Sequence, residues 1–246
     1  MSIKDGPNQV MSSLDLDIDF ANIKTISGSN ILDLSANGYT VQTMNSSSNS
    51  ATIANGYCTF NPATLSGAAT FYRITASGFV TSYSEISLET CVYTTSDITA
   101  GSWQRNRPIS PRTGFYGSPL GFALGNAVLS AEYQGIGTGN VGQDVNGYYG
   151  AYFNSNDIGN GKWIHIIQTL STTLKEYKTY INGNLTLNIA ANSAPANFTG
   201  IDIGKGYYDV ECNYMGRVAF LKVYKKALSL SEVMQNFNAR RGRFGL

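Results

Sequence analysis

The sequence predicts an all-β fold, a two-sheet antiparallel sandwich carrying one short C-terminal helix, and three observations predict it. Asn-Gly pairs recur at Asn37, Asn55, Asn146, Asn160 and Asn182, and each favours a tight turn with positive φ. The segments between turns are short and several alternate apolar with polar residues, the period of a half-buried strand. Helical periodicity with its own start signal occurs near the C-terminus.

Residues 84–93 (SEISLETCVY) set Ile86, Leu88 and Val92 on one face and Glu85, Ser87, Glu89, Cys91 and Tyr93 on the other, because successive strand side chains point to opposite faces. Residues 163–170 (WIHIIQTL) are apolar on both faces, which predicts a central strand. Glu176–Ile181 and residues 185–189 flank Asn182-Gly183, the best hairpin signal in the chain. Gly216–Tyr224 (GRVAFLKVY) is the last strong strand. The helix follows. Ser229 and Glu232 form an S-x-x-E capping box, Leu228 and Val233 a hydrophobic staple, and Leu230, Val233, Met234 and Phe237 an apolar stripe. Residues 240–246 (RRGRFGL) are expected to leave the helix, since glycine is a poor helix former.

A chain of 246 residues needs no second domain. Its 13% charged residues are about half the usual share, so the surface is built largely from hydroxyls and amides. The net charge of +1 sets up no field for nucleic acid or an acidic membrane. Cys58, Cys91 and Cys212 are odd in number and lack zinc-site spacing, so they are expected reduced and buried. The first twenty residues hold no apolar run of a leader, and no stretch approaches a membrane span. Synthesis in a cytoplasm is therefore expected.

In order, these segments resemble the laminin-G-like or concanavalin A-like jelly-roll domains of tailed-bacteriophage virion proteins. Residues 19–40 (DFANIKTISGSNILDLSANGYT) are similar to that group's opening, with its D-L-S-x-N-G turn. Trp163, His165 and Thr169 match its W-x-H-x-x-x-T strand, and residues 180–183 (YING) its following hairpin. Tyr224, Leu228 and Glu232 match its Y-x-x-x-L-x-x-x-E helix entry, before an R-F-G-L terminus. The resemblance implies a concanavalin A-like jelly roll at a virion surface, with other virion proteins, further copies of itself or glycans as partners. The fold alone does not choose, since it hosts lectins, hydrolases and passive shell proteins.

Residues 85–89 (EISLE) resemble the E-I-D-x-E signature of laminarinase-type glucanases, whose paired carboxylates serve as nucleophile and acid. Here Ser87 replaces the middle Asp, so a solvated or interface-facing strand edge is expected and no catalytic residue is assigned. His165 is the lone histidine, so any Ser-His-Asp or Cys-His relay would need it; its apolar strand predicts a structural role. Residues 135–142 (GIGTGNVG) lack the following helix of a phosphate cradle. Calcium is common in the family, and Asp144, Asn146, Asp157, Asp202 and Asp209 lie in or near expected loops. They form no D-x-D-x-D run, so no cofactor is expected.

Two binding surfaces are candidates. Tyr148, Tyr149 and Tyr152 beside Asp144 and Asn146 combine the aromatic and amide groups that suit a glycan or a protein interface. Residues 102–119 read as a partly stiffened loop whose Trp103, Arg105, Arg107, Arg112, Phe115 and Tyr116 are of the types that dominate interface energetics. Attachment is expected at the ends. A polar arm, residues 1–13, would order on a partner, leaving 14–246 as the folded domain. At the other end Arg240, Arg241, Arg243 and Phe244 either dock to a subunit or complement the helix terminus while Phe244 tucks back.

Overall fold

The computed structural model describes residues 8–27, 30–44, 50–61, 68–75, 84–94, 106–113, 121–125, 128–133, 149–152, 161–171, 173–190, 198–205 and 213–246. Eight strands form the first sheet: β1 (Leu14–Asp19), β5 (Ala51–Ala54), β6 (Tyr57–Phe60), β8 (Glu85–Thr94), β13 (Trp163–Ser171), β14 (Glu176–Ile181), β15 (Asn184–Ala190) and β17 (Gly216–Tyr224). Seven form the second: β4 (Thr40–Met44), β7 (Phe71–Thr75), β9 (Asn106–Thr113), β10 (Gly121–Gly125), β11 (Val128–Tyr133), β12 (Tyr149–Tyr152) and β16 (Phe198–Ile203). A two-stranded ribbon, β2 (Ile26–Ser27) and β3 (Asn30–Ile31), a single 3-10 turn at Ile23–Thr25 and one α-helix, α1 (Leu230–Phe244), complete the described elements.

All pairings in both large sheets are antiparallel. The first runs β15-β14-β13-β8-β17-β6-β5, the second β12-β11-β10-β9-β16-β7-β4. β17 is long enough to pair on one side with β6 through Gly216–Val218 and then with β1 through Phe220–Tyr224. Between the sheets lies one apolar cluster, to which the first contributes Leu16, Ile86, Leu88, Ile164, Ile166 and Val223 and the second Ile74, Ile109, Ile201 and Ile203. The expected face of β8 thus points inward, and Glu85, Ser87, Glu89 and Cys91 face out.

That outer face is not wet. Helix α1 covers part of it, with Val233 and Leu228 packed on Ile167, Tyr180 and Tyr224, and Phe244 on Cys91, Ala219 and Phe220. The start of the helix is as expected: Ser229 and Glu232 complete the capping box, and Leu228 and Val233 are both buried. The stripe is narrower than expected. Leu230 is 58% exposed, while Asn236 is fully buried. The Asn182-Gly183 hairpin forms with both residues at positive φ, 50° and 79°, the turn that matches strand twist. A Cβ on Gly183 would come within 2.8 Å of the Phe237 ring, so this turn also seats the helix.

Four expectations are corrected. Residues 106–113 are not loop but strand β9, between β10 and β16. Two prolines disfavour a central strand, yet pairing is irregular on both sides of it, and the Pro108 carbonyl is still satisfied by the Gly204 N–H at 2.8 Å. The helix does not stop before Arg240: it runs through Gly242 to Phe244 and ends on Gly245 at φ 69°. Gly242 costs about 1 kcal/mol, which the ion pairs of Arg240 and Arg243 with Asp19 and the packing of Phe244 offset. Residues 8–13 are not a loose arm. Val10 is buried in the helix cluster, its N–H donates to Asn236 Oδ1 at 2.8 Å, and Gln235 donates to the Asn8 carbonyl. Finally, residues 84–93 form no sheet edge, because β13 and β17 flank β8 on both sides.

Candidate functional site

The glucanase-like signature is the natural place to look for chemistry. Glu85, at the start of β8, accepts a hydrogen bond from Ser171 Oγ at 3.0 Å. Ser87 Oγ donates to the Lys226 carbonyl at 2.7 Å and accepts from the Leu228 N–H at 2.9 Å, so the residue in place of Asp fastens the chain entering α1. Glu89 is 1% exposed. Its carboxylate accepts from His165 Nε2 at 2.9 Å, Tyr224 Oη at 2.9 Å and Asn236 Nδ2 at 2.8 Å. Asn236 also donates to Tyr224 Oη at 3.0 Å, so the phenol accepts from the amide as it donates to the carboxylate.

Burial by itself would raise the Glu89 carboxyl. The hydrogen bond and charge of His165, with the charges of Lys222 and Arg240, outweigh it and hold the group below the ordinary carboxylate range. An acid catalyst needs the opposite, a carboxyl kept protonated near neutrality. Burial and the Glu89 charge push the Tyr224 phenol up. The pair of Glu89 and His165 resembles the buried half of a relay, but His165 is itself 1% exposed, with its ring beside Phe220 and Phe237 at 6.0 and 5.7 Å. Cys91, its ladder partner, is buried and its thiol is raised by that burial, which disfavours the nucleophilic thiolate. This cluster holds the helix on the sheet.

The other resemblance motifs have similar duties. In the D-L-S-x-N-G turn Asp33 accepts from the Asp17, Ser35 and Tyr39 N–H groups at 2.8–2.9 Å, and Asn37 reaches back to Asp15. Trp163 packs on Phe244 with ring centres 4.9 Å apart. Asn182 exchanges two 2.9 Å hydrogen bonds with the His165 backbone.

The sequence missed β1. Leu14, Leu16 and Ile18 alternate there with Asp15, Asp17 and Asp19, a period-two signal that was available. The three carboxylates line the outer side and pair with Lys225, Lys222, and both Arg240 and Arg243. Burial opposes ionisation of Asp19, but the two arginines hold its carboxyl below the usual range.

The expected binding residues are dispersed. Tyr149 and Tyr152 begin and end β12, at one edge of the second sheet, whereas Asp144, Asn146 and Tyr148 lie outside the described residues. Arg107 and Arg112 are positions on β9; Trp103, Arg105, Phe115 and Tyr116 lie outside the description, as does Cys212. Within the chain Arg240 and Arg243 pair with Asp19, and Phe244 packs on Cys91, Ala219 and Phe220. Arg241 stays exposed in the last helical turn. For calcium, Asp202 is not a loop ligand: it is buried on β16 and paired with Arg73 through contacts of 2.8 and 3.0 Å. No three acidic, Cys or His side chains come together as a metal site among the described residues; Asp144, Asn146, Asp157 and Asp209 are not among them.

Comparison with known proteins agrees on the fold. The chain is similar to the botulinum neurotoxin DC binding domain solved in complex with SialylT (TM-score 0.64, 14% identity, covering 92% of this chain and 51% of that one). It is also similar to that domain in complex with rat synaptotagmin II (0.65, 13%, 92% and 51%), and to the serotype D ligand-binding domain in complex with N-acetylneuraminic acid (0.65, 16%, 93% and 50%). The chain thus spans about half the length of these structures. No curated protein sequence matches it. A laminin-G-type family model, described as the concanavalin A-like lectin/glucanases superfamily, matches residues 77–234. With two antiparallel sheets around one core and a family match over more than half its length, the chain belongs to the concanavalin A-like lectin/glucanase superfamily.

Proposed function

We propose that this protein is a non-enzymatic structural component of a tailed-bacteriophage virion, decorating the capsid or an exposed appendage and acting through protein–protein contacts. The observation that carries the non-enzymatic part is the closure of the carboxylate face. Glu89 and His165 are each 1% exposed and hydrogen-bonded to one another, and Ser87 stands where a glucanase signature has Asp. The virion setting rests on the similarity of residues 19–40 and of the W-x-H-x-x-x-T, YING and Y-x-x-x-L-x-x-x-E motifs to phage virion domains. Mass-spectrometric stoichiometry of purified particles tests it: a decoration protein approaches capsomer copy number, an appendage protein falls below it, and absence from particles overturns the reading. Release of reducing sugar from β-glucans, abolished by Glu85→Gln, would overturn the non-enzymatic part.

A second reading is a carbohydrate-binding adsorption module. It is favoured by similar structures solved with SialylT and N-acetylneuraminic acid and by the tyrosines at residues 148–152. A glycan array decides it, through saturable binding lost in Tyr148→Ala or Tyr149→Ala.

A further inference from the structure

On the outer face of the first sheet, at the C-terminal end of α1, four side chains form a row across four strands. Trp163 is the ladder partner of Tyr93, Tyr93 of Arg217, and Arg217 of Thr59. All four are half-buried. Tyr57, two residues before Thr59 and also half-buried, closes the group. Its ring centre lies 5.6 Å from that of Trp163 and 4.9 Å from the Arg217 guanidinium carbon. Tyr93 stands in the same relation, at 5.4 and 4.7 Å.

Among the described residues the polar ends of this aromatic group are unengaged. Among the described residues Arg217 pairs with no carboxylate, although its Nε is enclosed without a hydrogen-bond partner. The hydroxyls of Tyr57 and Tyr93 and the Trp163 indole N–H likewise have no hydrogen bond there. Such a state contrasts with the rest of the outer face, where Asp15, Asp17, Asp19 and Glu89 are all paired. Among the described residues the local charge is positive. Lys162 is exposed beside Trp163, and the carboxylate at the adjoining end of β1, Asp19, is neutralised by Arg240 and Arg243.

We infer that this platform is a binding site for acidic saccharides. Tyrosine rings pack on the guanidinium and its Nε is enclosed, so an incoming carboxylate addresses the terminal N–H groups, a geometry suited to two parallel hydrogen bonds. The aromatic bodies offer apolar surface to a sugar ring, and their two hydroxyls and one N–H offer partners to its hydroxyls. An acidic protein side chain would use Arg217 alone and leave those three polar ends without a role, which favours a polyhydroxylated ligand. The site is remote in sequence from Tyr148, Tyr149 and Tyr152 and does not depend on the virion reading.

Calorimetric titration of the whole chain tests it, with three carboxylated probes (hyaluronan tetrasaccharide, trigalacturonate and sialyllactose) and two neutral controls, chitotetraose and lactose. At least one acidic probe should bind saturably, more weakly as salt rises, with the controls silent. Arg217→Gln should weaken binding about tenfold or more and leave the melting temperature within a few degrees. Tyr93→Phe, which removes only a hydroxyl, should weaken it severalfold and keeps the test valid if Arg217→Gln does not fold. Silence of all three acidic probes overturns the inference, as does binding indifferent to both substitutions. Binding of poly-glutamate in place of any saccharide also overturns it and makes the patch a protein contact. Particle incorporation is measured separately, so the virion reading stands or falls on its own.

Discussion

Asn236 on helix α1 donates a 2.8 Å hydrogen bond to the carboxylate of Glu89, 147 positions earlier in the chain. Its carbonyl oxygen accepts the Val10 N–H at the same distance. One amide thereby joins the centre of the first sheet, the C-terminal helix and the N-terminal segment.

Glu89→Ala should be among the most damaging single substitutions. It leaves His165, Tyr224 and Asn236 without their acceptor inside the fold, and breaking a buried pair of this kind costs roughly 3–5 kcal/mol. Urea denaturation measures the loss. A midpoint within error of the parent would show that α1 is held by its apolar contacts alone.

Acid should destabilise the protein through the same group. The Glu89 and Asp19 carboxyls are held below their ordinary values of 4.5 and 3.8, so the unfolded chain binds more protons than the folded one as acidity rises. The stability they contribute is fully present above those ordinary values and is lost as pH falls through the lower folded-state values. Melting temperatures of the parent and Glu89→Gln, recorded from pH 6 downwards, should converge as Glu89 protonates in the parent. A constant gap would assign the acid sensitivity elsewhere.

Removing residues 1–13 should weaken the domain as well as any attachment. The deletion exposes the pocket of Val10, worth about 1.5–3 kcal/mol, and leaves Asn236 Oδ1 without its donor, at about 1–3 kcal/mol. Calorimetry should show a melting temperature several degrees lower. An unchanged value would restore the view of this segment as a loose arm.

Gly183→Ala should cost about 1–3 kcal/mol, since it adds a Cβ at φ 79° that meets Phe237 at 2.8 Å. Thermal melting of this variant beside Gly242→Ala gives the contrast. The Gly242 site is open and helical, so alanine there should stabilise by up to about 1 kcal/mol.

Cys58 and Cys91 are free and buried, with their thiols raised chiefly by burial. Neither should take up iodoacetamide at neutral pH until urea unfolds the chain, as peptide mass spectrometry would reveal. Rapid labelling of Cys91 in the native protein would mean that α1 lifts readily from the sheet.

What the sequence made legible was local. The face assignment of β8, the Asn182-Gly183 hairpin and the Ser229–Glu232 cap each depend on residues within a few positions of one another. What escaped depends on distant partners. Glu89 sits on the polar side of an alternating strand, and only the arrival of α1 decides that this side is dry. Gly242 reads as a helix break until Asp19 is known to face Arg240 and Arg243. Pro108 and Pro111 read as loop because a regular ladder would reject them, and irregular pairing of β9 is a property of two other strands. β1 is a different case, since the alternation of Leu14, Leu16 and Ile18 with Asp15, Asp17 and Asp19 is local and legible, though it follows a polar start.

The pairing of β1 with β17 also has a meaning in time. Asp17 and Lys222 meet across 205 positions, so on a ribosome the first strand emerges long before its partner exists. Contacts of such separation fold slowly, and an apolar strand waiting unpaired invites pairing with neighbouring chains. Asp15, Asp17 and Asp19 give the waiting strand one charged side, the kind of residue that keeps exposed edges apart. When β17 and α1 arrive, the cations they carry convert those same repelling groups into the clasp that closes the sheet.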